Sequence, residues 1–399
     1  FFVTRFEVRG HDSKGHLEYI QYLLDNAFAM PSSTVGWEFY HPPLYYAFSA
    51  LWMRIHSLVE PLREVLIRGL QVQSLLYGIA TLGVVFWIGA LLFPKRKQQK
   101  DRLLFVLLLS LQPSLIFFTT RINNDVLYQL FAFSAFALIL SWWKEAKSRE
   151  WYLCILAIAL GMLTKSNALL LLPIVYGCLL VQREVLWKEK LKLGGLGLLV
   201  ITLLCGWFYV VRFVVESDTS LVQNLKSLHS GLQVENSIET LTEFNPLRMV
   251  IGPFNDVWNG EIRDHFWEYW MISSFFGEFG FGETMKPLAS GIIGIALLLL
   301  LVFFIGLYRA IRHSWYKTFP IWLSAFVLAL GHVAYRQYAP FSTSQDFRYS
   351  ILFLVPAMYF LLIGIRLQPK RIRRALHIAV LALAILFLAF LLGIPFFEN

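Results

Sequence analysis

The residues most able to do chemistry cluster in one short polar segment, Gly10 to Tyr46, which precedes a chain of mostly apolar runs. It contains the acidic and imidazole side chains Asp12, Glu18, Glu38 and His41. A carboxylate that is partly desolvated at a membrane–water boundary can serve as a general base. Asp12 is our candidate for that base, and a helix cap is the structural alternative. We assign Glu18 no role.

Further charged residues stand where later apolar runs begin or end. Asp125, in TTRINND, is a candidate second catalytic carboxylate, although an Asp at a helix start also acts as a cap. Lys165 in TKSN, Arg348 in QDFRYS and Arg121 could bind a phosphate. The structural alternatives are snorkelling for Lys165 and an ion pair with Asp346 for Arg348. Arg121 could likewise pair with Asp125 if one helical turn joins them.

Four residues of the first loop are expected to shape the site around Asp12. They are His16, Glu38, His41 and Tyr45. Glu38, His41 and Asp12 could hold a divalent metal, but their spacing is not that of a metalloprotease motif, so we favour plain hydrogen bonding. We therefore predict neither a metal nor another cofactor. Phosphate-binding glycine loops, dinucleotide fingerprints and Gly-x-Ser-x-Gly elbows do not occur in the sequence.

The composition indicates the elements that must position these residues. The chain is 57% hydrophobic and 15% charged, against about a quarter charged in a soluble domain. We predict an all-α polytopic membrane protein with about ten transmembrane helices, plus the tail of an earlier one at Phe1. The apolar runs are 69–93, 103–119, 126–143, 151–164, 167–181, 193–215, 287–308, 318–336, 350–366 and 375–396.

Basic residues predict the orientation of these helices. Every second connection is basic, as the positive-inside rule expects of cytoplasmic loops. These connections are 95–102, 144–150, 182–192, 309–317 and 366–374. The first loop (9–68) and the large loop (216–286) would then face outward within a single transmembrane domain, 1–399. The net charge of +9 is thus a topology signal, and we predict no nucleic-acid partner.

Both outward loops are expected to contain surface structure. We predict a helix over 12–29 and another that starts just after Pro42–Pro43. The segment 43–60 carries Arg54 and His56 inside an apolar pattern, which favours an interfacial amphipathic helix over a span. The aromatic second half of the 216–286 loop is expected to lie along the membrane surface. No Asn-X-Ser/Thr sequon occurs in the outward loops, which favours a bacterial or archaeal cell membrane.

Several short motifs occur together in a familiar order. An Asp follows the first apolar segment, and HPPLYY ends the first loop. Arg-x-x-Asn-Asp, Thr-Lys-Ser-Asn and a late Arg-Tyr then follow. This combination resembles the GT-C superfamily of polytopic glycosyltransferases, particularly the family 39-like branch that contains protein O-mannosyltransferases and aminoarabinose transferases. The resemblance is best over the first 180 residues, and each motif alone is loose.

The resemblance implies a role for each matching position. Asp12 takes the place of the catalytic Asp, and Asp125 that of the acidic residue in the second outward loop. Lys165 and Arg348 match basic positions near the donor phosphate. The implied donor is a sugar on a polyprenyl phosphate of dolichyl or undecaprenyl type. The chain has Asp12-Ser13 where the family has an Asp-Glu pair, and it lacks the WWDYG signature of oligosaccharide transfer to asparagine.

The function we predict is inverting transfer of that sugar to an acceptor hydroxyl at the extracytoplasmic face. The acceptor would be a protein, a lipid or a glycan, and membrane lipid would surround the donor chain. One alternative is a transporter or flippase of a lipid-linked or polar substrate, which should place ionisable residues near mid-membrane in several spans. The other is a non-catalytic membrane scaffold. The clustering of charges at one face favours the enzyme.

Overall fold

The computed structural model describes residues 12–216 and 228–397, with side chains to residue 394. Over these residues the chain is helical, and its β-structure is one isolated bridge between Gln233 and Phe341. The helices are α1 (Ser13–Asp25), α2 (Leu44–Ser57), α3 (Arg63–Leu92), α4 (Gln99–Ser110), α5 (Pro113–Thr119), α6 (Asp125–Glu145), α7 (Ser148–Met162), α8 (Leu171–Val181), α9 (Trp187–Val210), α10 (Ile238–Thr242), α11 (Pro246–Ile251), α12 (Phe266–Phe276), α13 (Lys286–Ser314), α14 (Phe319–Tyr338), α15 (Leu354–Leu367) and α16 (Lys370–Phe397).

The predicted fold class, an all-α polytopic membrane protein, is confirmed, but fewer helices qualify as spans than the sequence suggested. Among the described residues, seven helical segments are long and apolar enough to cross a membrane, and one of them is Ser342–Leu367, in which two short helical stretches precede α15. An eighth span results if α4 and α5, bent by 53° at their junction, count as one. Helices α7 and α8 are too short, because ~20 residues are needed to cross the hydrocarbon. The expected helix tail at Phe1 lies outside the described residues.

The chain divides into two compact units. The first consists of Phe1–Leu91 and Phe117–Leu228, and the second of Leu92–Ile116 and His229–Asn399. Of the site residues predicted from the sequence, Arg348 belongs to the second unit and all the others belong to the first. The prediction of a single transmembrane domain stays a prediction.

In the first unit, the outward-loop segment folds into two helices that pack on the start of α6. Helix α1 is shorter than predicted, because Ala27 and Phe28 adopt left-handed backbone angles with φ of 51° and 63°. Helix α2 begins directly after Pro43, as expected. The buried faces of both helices join one hydrophobic cluster, which includes Tyr19, Tyr46 and, from the α6 region, Val126. Burial of this apolar surface is what holds the polar segment in place.

Helix α2 presents an apolar stripe on the side opposite its buried face. Phe48, Leu51, Ile55 and Leu58 recur at helical spacing and are 42 to 83% exposed. With 14 residues the helix is too short to span a membrane. An exposed stripe of this kind on a short helix is typical of an interfacial position, which agrees with the sequence prediction for 43–60.

The second unit contains the aromatic helix α12. Its side chains Phe266, Tyr269, Ile272 and Phe276 are fully buried. Helix α12 is apolar nearly all round, which is typical of a buried helix. Its expected position along the membrane surface stays a prediction.

The closest helix contact in the second unit depends on two glycines. Helices α13 and α15 cross at Gly306 and Gly364. A Cβ added at Gly306 would stand 1.9 Å from the carbonyl oxygen of Phe360, and one at Gly364 would stand 2.0 Å from that of Val302. Small residues that let helix backbones approach are the common device for packing helices in a membrane.

Substituting Gly306 by alanine should therefore destabilise the second unit. The backbone of α15 would have to move, and overpacking of this kind typically costs ~1–3 kcal/mol. The measurement is the thermal unfolding temperature of the purified protein in detergent.

Gly294→Ala is the matched control, because Gly294 lies in the same helix and a Cβ there meets nothing within 4 Å. We expect this variant to unfold at or slightly above the wild-type temperature. Equal unfolding temperatures for the two variants would show that the close contact does not contribute to stability.

Candidate active site in the first unit

Asp12 stands at the N-cap position of α1, but its side chain makes no capping hydrogen bond. Instead its Oδ1 accepts a hydrogen bond from the indole Nε1 of Trp37 at 3.1 Å. Trp37 is 38% exposed and Asp12 is half-buried, so the carboxylate is reachable from solvent. The capping explanation considered for Asp12 is thus not supported by its geometry. Glu18, on the same helix, is exposed and lies 3.9 Å from the ammonium of Lys14.

Several buried polar side chains meet beside His16, which lies one helical turn after Asp12 on α1. Glu38 Oε2 is 2.8 Å from His41 Nε2 and 3.8 Å from His16 Nδ1. His16 Nδ1 also forms a 2.8 Å hydrogen bond with the hydroxyl of Tyr46. All three titratable side chains are at most 5% exposed. Burial lowers the pKa of His16, and the Glu38 carboxylate opposes that shift.

The approach of Glu38 to α1 requires a glycine. A Cβ at Gly15 would stand 2.7 Å from Glu38 Cγ. Beside this contact the rings of Phe39, Tyr19 and Tyr46 stack at centroid distances of 4.8 and 3.9 Å. Glu38 is buried, so its hydrogen bond to His41 is stronger than it would be in water.

Asp125 and Lys165 form a buried ion pair. Lys165 Nζ lies 2.6 Å from Asp125 Oδ1, and their side chains are 5% and 4% exposed. Helices α6 and α7 are antiparallel neighbours. Asp125 begins α6 and Lys165 follows the end of α7, so the two residues lie at the same end of this helix pair. Asn124 Nδ2 donates to the Thr164 carbonyl at 3.3 Å, which joins the same two chain segments.

The first loop and the ion pair are held at the same end of this unit. The backbone N–H of Leu44, at the start of α2, donates to the carbonyl of Leu163 at 2.9 Å. The hydrophobic cluster beneath α1 and α2 includes Ile122 and Val126, on either side of Asp125. The carboxylates of Asp12 and Asp125 both raise the pKa of His16, against the larger effect of burial. The structure thus holds the first loop, which carries Asp12 and the buried histidines, at the end of the unit where the ion pair lies.

Arg212 has a role that the sequence reasoning missed. It lies at the end of α9, in a short π-helical turn over Val211–Val215. Its guanidinium donates to the carbonyls of Pro31 and Phe39 at 3.1 and 2.6 Å, and to Glu216 Oε2 at 2.7 Å. Glu216 Oε2 also accepts from the backbone N–H of Ser33 at 3.1 Å.

Arg212 and Glu216 therefore fasten both ends of the 31–39 turn, which carries Trp37 and Glu38. The sequence signal that could have found this contact is a charged i,i+4 pair after an apolar span. The carbonyls of Pro31 and Phe39 could not be foreseen, because they are remote in sequence.

Tyr45 and Arg121, which were also predicted from the sequence, are both buried in the first unit. Tyr45 is buried, and its ring meets Tyr46 edge-on at 5.4 Å. Arg121 is buried, with its guanidinium 6.0 Å from the centre of the Phe117 ring. The segment between α5 and α6 that contains Arg121 is not helical, so the one-turn relation to Asp125 considered from the sequence does not hold.

In the second unit, Arg348 lies near two carboxylates. Its Nε is 3.6 Å from Asp346 Oδ2, and its Nη2 is 3.8 Å from Glu278 Oε2. The Asp346 partner considered from the sequence is therefore present. The guanidinium also lies over the Tyr349 ring, 5.2 Å from its centre. A phosphate-binding role for Arg348 stays a prediction.

One group among the described side chains has ligand atoms close enough together for a metal ion: Glu243, His265 and Glu268, in the second unit. The guanidinium of Arg248 already lies among them. It is 2.6 Å from Glu243, 2.8 Å from Glu268 and 2.9 Å from His265 Nε2. Because the arginine supplies the positive charge, this group does not fit a metal.

Comparison with known proteins identifies the family. Residues 11–337 match the family model described as "Predicted membrane protein (DUF2142)". The chain belongs to this family. The match covers the whole candidate site of the first unit and ends before Arg348. Searches of curated proteins and of solved structures found no match. Family membership and the apolar helices together establish an integral membrane protein.

The buried histidine should make stability depend on pH in this DUF2142 protein. The folded pKa of His16 lies below its ordinary value of 6.5, because burial disfavours the imidazolium. The unfolded chain therefore takes up the proton first as the pH falls through 6.5, and stability is lost in that range. His16→Gln should reduce the loss of unfolding temperature between about pH 7 and about pH 5.

His313→Gln serves as the control, because the exposed imidazole of His313 keeps its contact with water on unfolding. It should show the wild-type slope. A wild-type slope for His16→Gln as well would mean that His16 does not contribute to the pH dependence.

Proposed function

We propose that this protein is a glycosyltransferase that moves a sugar from a polyprenyl phosphate to an acceptor hydroxyl at the extracytoplasmic face of the membrane. The observation that carries the proposal is the grouping, at one end of the first unit, of a solvent-reachable carboxylate and a buried lysine. Asp12 supplies the carboxylate and Lys165 the cation. Transfer of a sugar from a donor whose leaving group is a phosphate needs a general base for the acceptor hydroxyl and a cation for the phosphate.

Asp12 is the proposed general base. It takes the proton of the acceptor hydroxyl while the oxygen forms a bond to the anomeric carbon. The bond from that carbon to the phosphate oxygen breaks on the opposite face, and the electron pair leaves with the lipid phosphate. The configuration at the anomeric carbon is inverted. The half-buried position of Asp12 supports this role, because the carboxylate is both reachable and partly desolvated.

Lys165 is the proposed partner of the leaving phosphate. A fixed cation stabilises the negative charge that develops there without reorganising at the moment of reaction. Asp125 holds this ammonium at 2.6 Å, which favours a positioning role for Asp125 over proton transfer. In this proposal Arg121, which belongs to the same unit as Lys165, adds positive charge toward the phosphate.

The buried Glu38, His41 and His16 are proposed to shape the acceptor side. The hydrogen bonds between Glu38 and His41 and between His16 and Tyr46 fix these side chains in place. Trp37 combines an exposed aromatic face with its bond to Asp12, so it is suited to stack on a sugar beside the base. A protein, a lipid or a glycan could present the hydroxyl.

The test is release of polyprenyl phosphate by the full chain in lipid nanodiscs, with polyprenyl-phosphate-linked mannose and aminoarabinose as donors. Asp12→Asn should lower turnover by ~10²–10⁴-fold, the usual contribution of a general base. Binding of the donor should persist, because the base touches the acceptor proton and not the lipid phosphate.

Asp25→Asn is the matched control, since Asp25 is an exposed carboxylate at the other end of α1. It should turn over at the wild-type rate. Near wild-type turnover by folded Asp12→Asn would refute the assignment of the base. Movement of the intact donor across the membrane, with no release of phosphate, would favour a transporter.

A further inference from the structure

A second feature of the molecule lies in segment 245–263 of the second unit. The short helix α11 and the turns after it surround a cavity of about 420 Å³. Its lining is mainly apolar and includes Leu247, Ile251, Phe254 and Ile262. Leu247 and Ile251 are 66% and 69% exposed, although both are large aliphatic residues one helical turn apart. Exposed apolar surface beside a cavity usually marks a binding site.

The position of α11 along a spanning helix sets its depth. Ser290 Oγ donates to the carbonyl of Val250, in the last turn of α11, at 2.7 Å. Ser290 lies about one helical turn after Lys286, where the apolar stretch of α13 begins. That stretch ends at Arg309, so it has about the length that hydrocarbon requires. Helix α11 therefore lies at the boundary between headgroups and hydrocarbon.

This depth explains the exposed side chains. Leu247 and Ile251 project from a helix at the level where acyl chains begin. Contact with acyl chains is more favourable for these apolar side chains than contact with water. Polar and charged side chains also line the cavity, and they come from Asn245, Arg248, Asp256, Asn259, Glu261 and Arg263. A site that is apolar on one side and hydrogen-bonding on the other suits an amphipathic ligand.

We propose that this cavity binds a membrane phospholipid, with an acyl chain against Leu247 and Ile251 and the headgroup at the polar side. The site requires neither Asp12 nor Lys165, so it goes beyond the proposed transferase activity. A carbohydrate is the other occupant considered, but the Trp258 ring does not line the cavity and already meets the His229 ring edge-on at 5.5 Å.

Lipid crosslinking tests the proposal directly. The full chain is reconstituted into nanodiscs of phosphatidylethanolamine and phosphatidylglycerol that contain a phospholipid with a diazirine near the carbonyl end of one acyl chain. After illumination, peptides are mapped by mass spectrometry. We expect lipid adducts on the segment 245–263. Adducts on the spanning helices are also expected, because these helices contact acyl chains in any bilayer.

Ile251→Trp should remove the adducts on 245–263, because the larger side chain fills the cavity. Ile238→Trp is the control, since Ile238 is 80% exposed in the same part of the chain and does not line the cavity. It should keep the wild-type adducts. If Ile251→Trp fails to fold, Leu247→Ser replaces it, with a loss of adducts again expected.

Two results would overturn the proposal. One is a wild-type chain with adducts on its spanning helices and none on 245–263, which would leave a water-soluble ligand such as a carbohydrate as the occupant. The other is unchanged adducts in folded Ile251→Trp. Neither result depends on transferase turnover, so this proposal and the proposed function can fail separately.

Discussion

The ion pair between Asp125 and Lys165 is the constraint on which the candidate site depends. Two charges removed from water carry a large desolvation cost, and their mutual attraction compensates for it only when geometry is good. Such a pair is weak evidence for stability, and an apolar contact would join α6 to the end of α7 at least as well. The proposed function would explain its presence by a ligand that needs a fixed positive charge. In the proposed function Asp125 holds the Lys165 ammonium in position for the anion.

The first loop complements this pair with groups that are fixed from several sides. Arg212 and Glu216 hold the 31–39 turn, Gly15 lets Glu38 approach α1, and Trp37 then reaches Asp12. These contacts come from α1, the 31–39 turn and the end of α9. Loss of any one of them should therefore increase the mobility of Trp37, Glu38 and Asp12 together. A rigid surrounding of this kind is what electrostatic catalysis requires, since the donors must not reorganise during the reaction.

Much of this arrangement could be predicted from the sequence, for identifiable reasons. Hydrophobic runs and basic loops revealed the helical membrane fold, and the Pro42–Pro43 pair marked the start of α2. The candidates Asp12, His16, Glu38 and His41 were found because polar residues are conspicuous in so apolar a chain. Arg212 was missed because its partners are backbone carbonyls remote in sequence. The burial of α12 could not be predicted, because a helix that is apolar all round can lie in a core or at a membrane surface. The runs 151–164 and 167–181 were counted as spans although each is shorter than the ~20 residues that cross the hydrocarbon, and α7 and α8 are short in the structure too.

The central claim is that the lysine of the ion pair and the carboxylate of the first loop serve one bound donor. The most direct measurement is an electron cryo-microscopy map of the full chain in nanodiscs with a non-hydrolysable polyprenyl phosphonate sugar. The account predicts phosphonate density within hydrogen-bonding distance of Lys165 Nζ, with the sugar directed toward Asp12. Density for the phosphonate at another place, with the Asp125–Lys165 pair closed and Asp12 remote from the sugar, would contradict it.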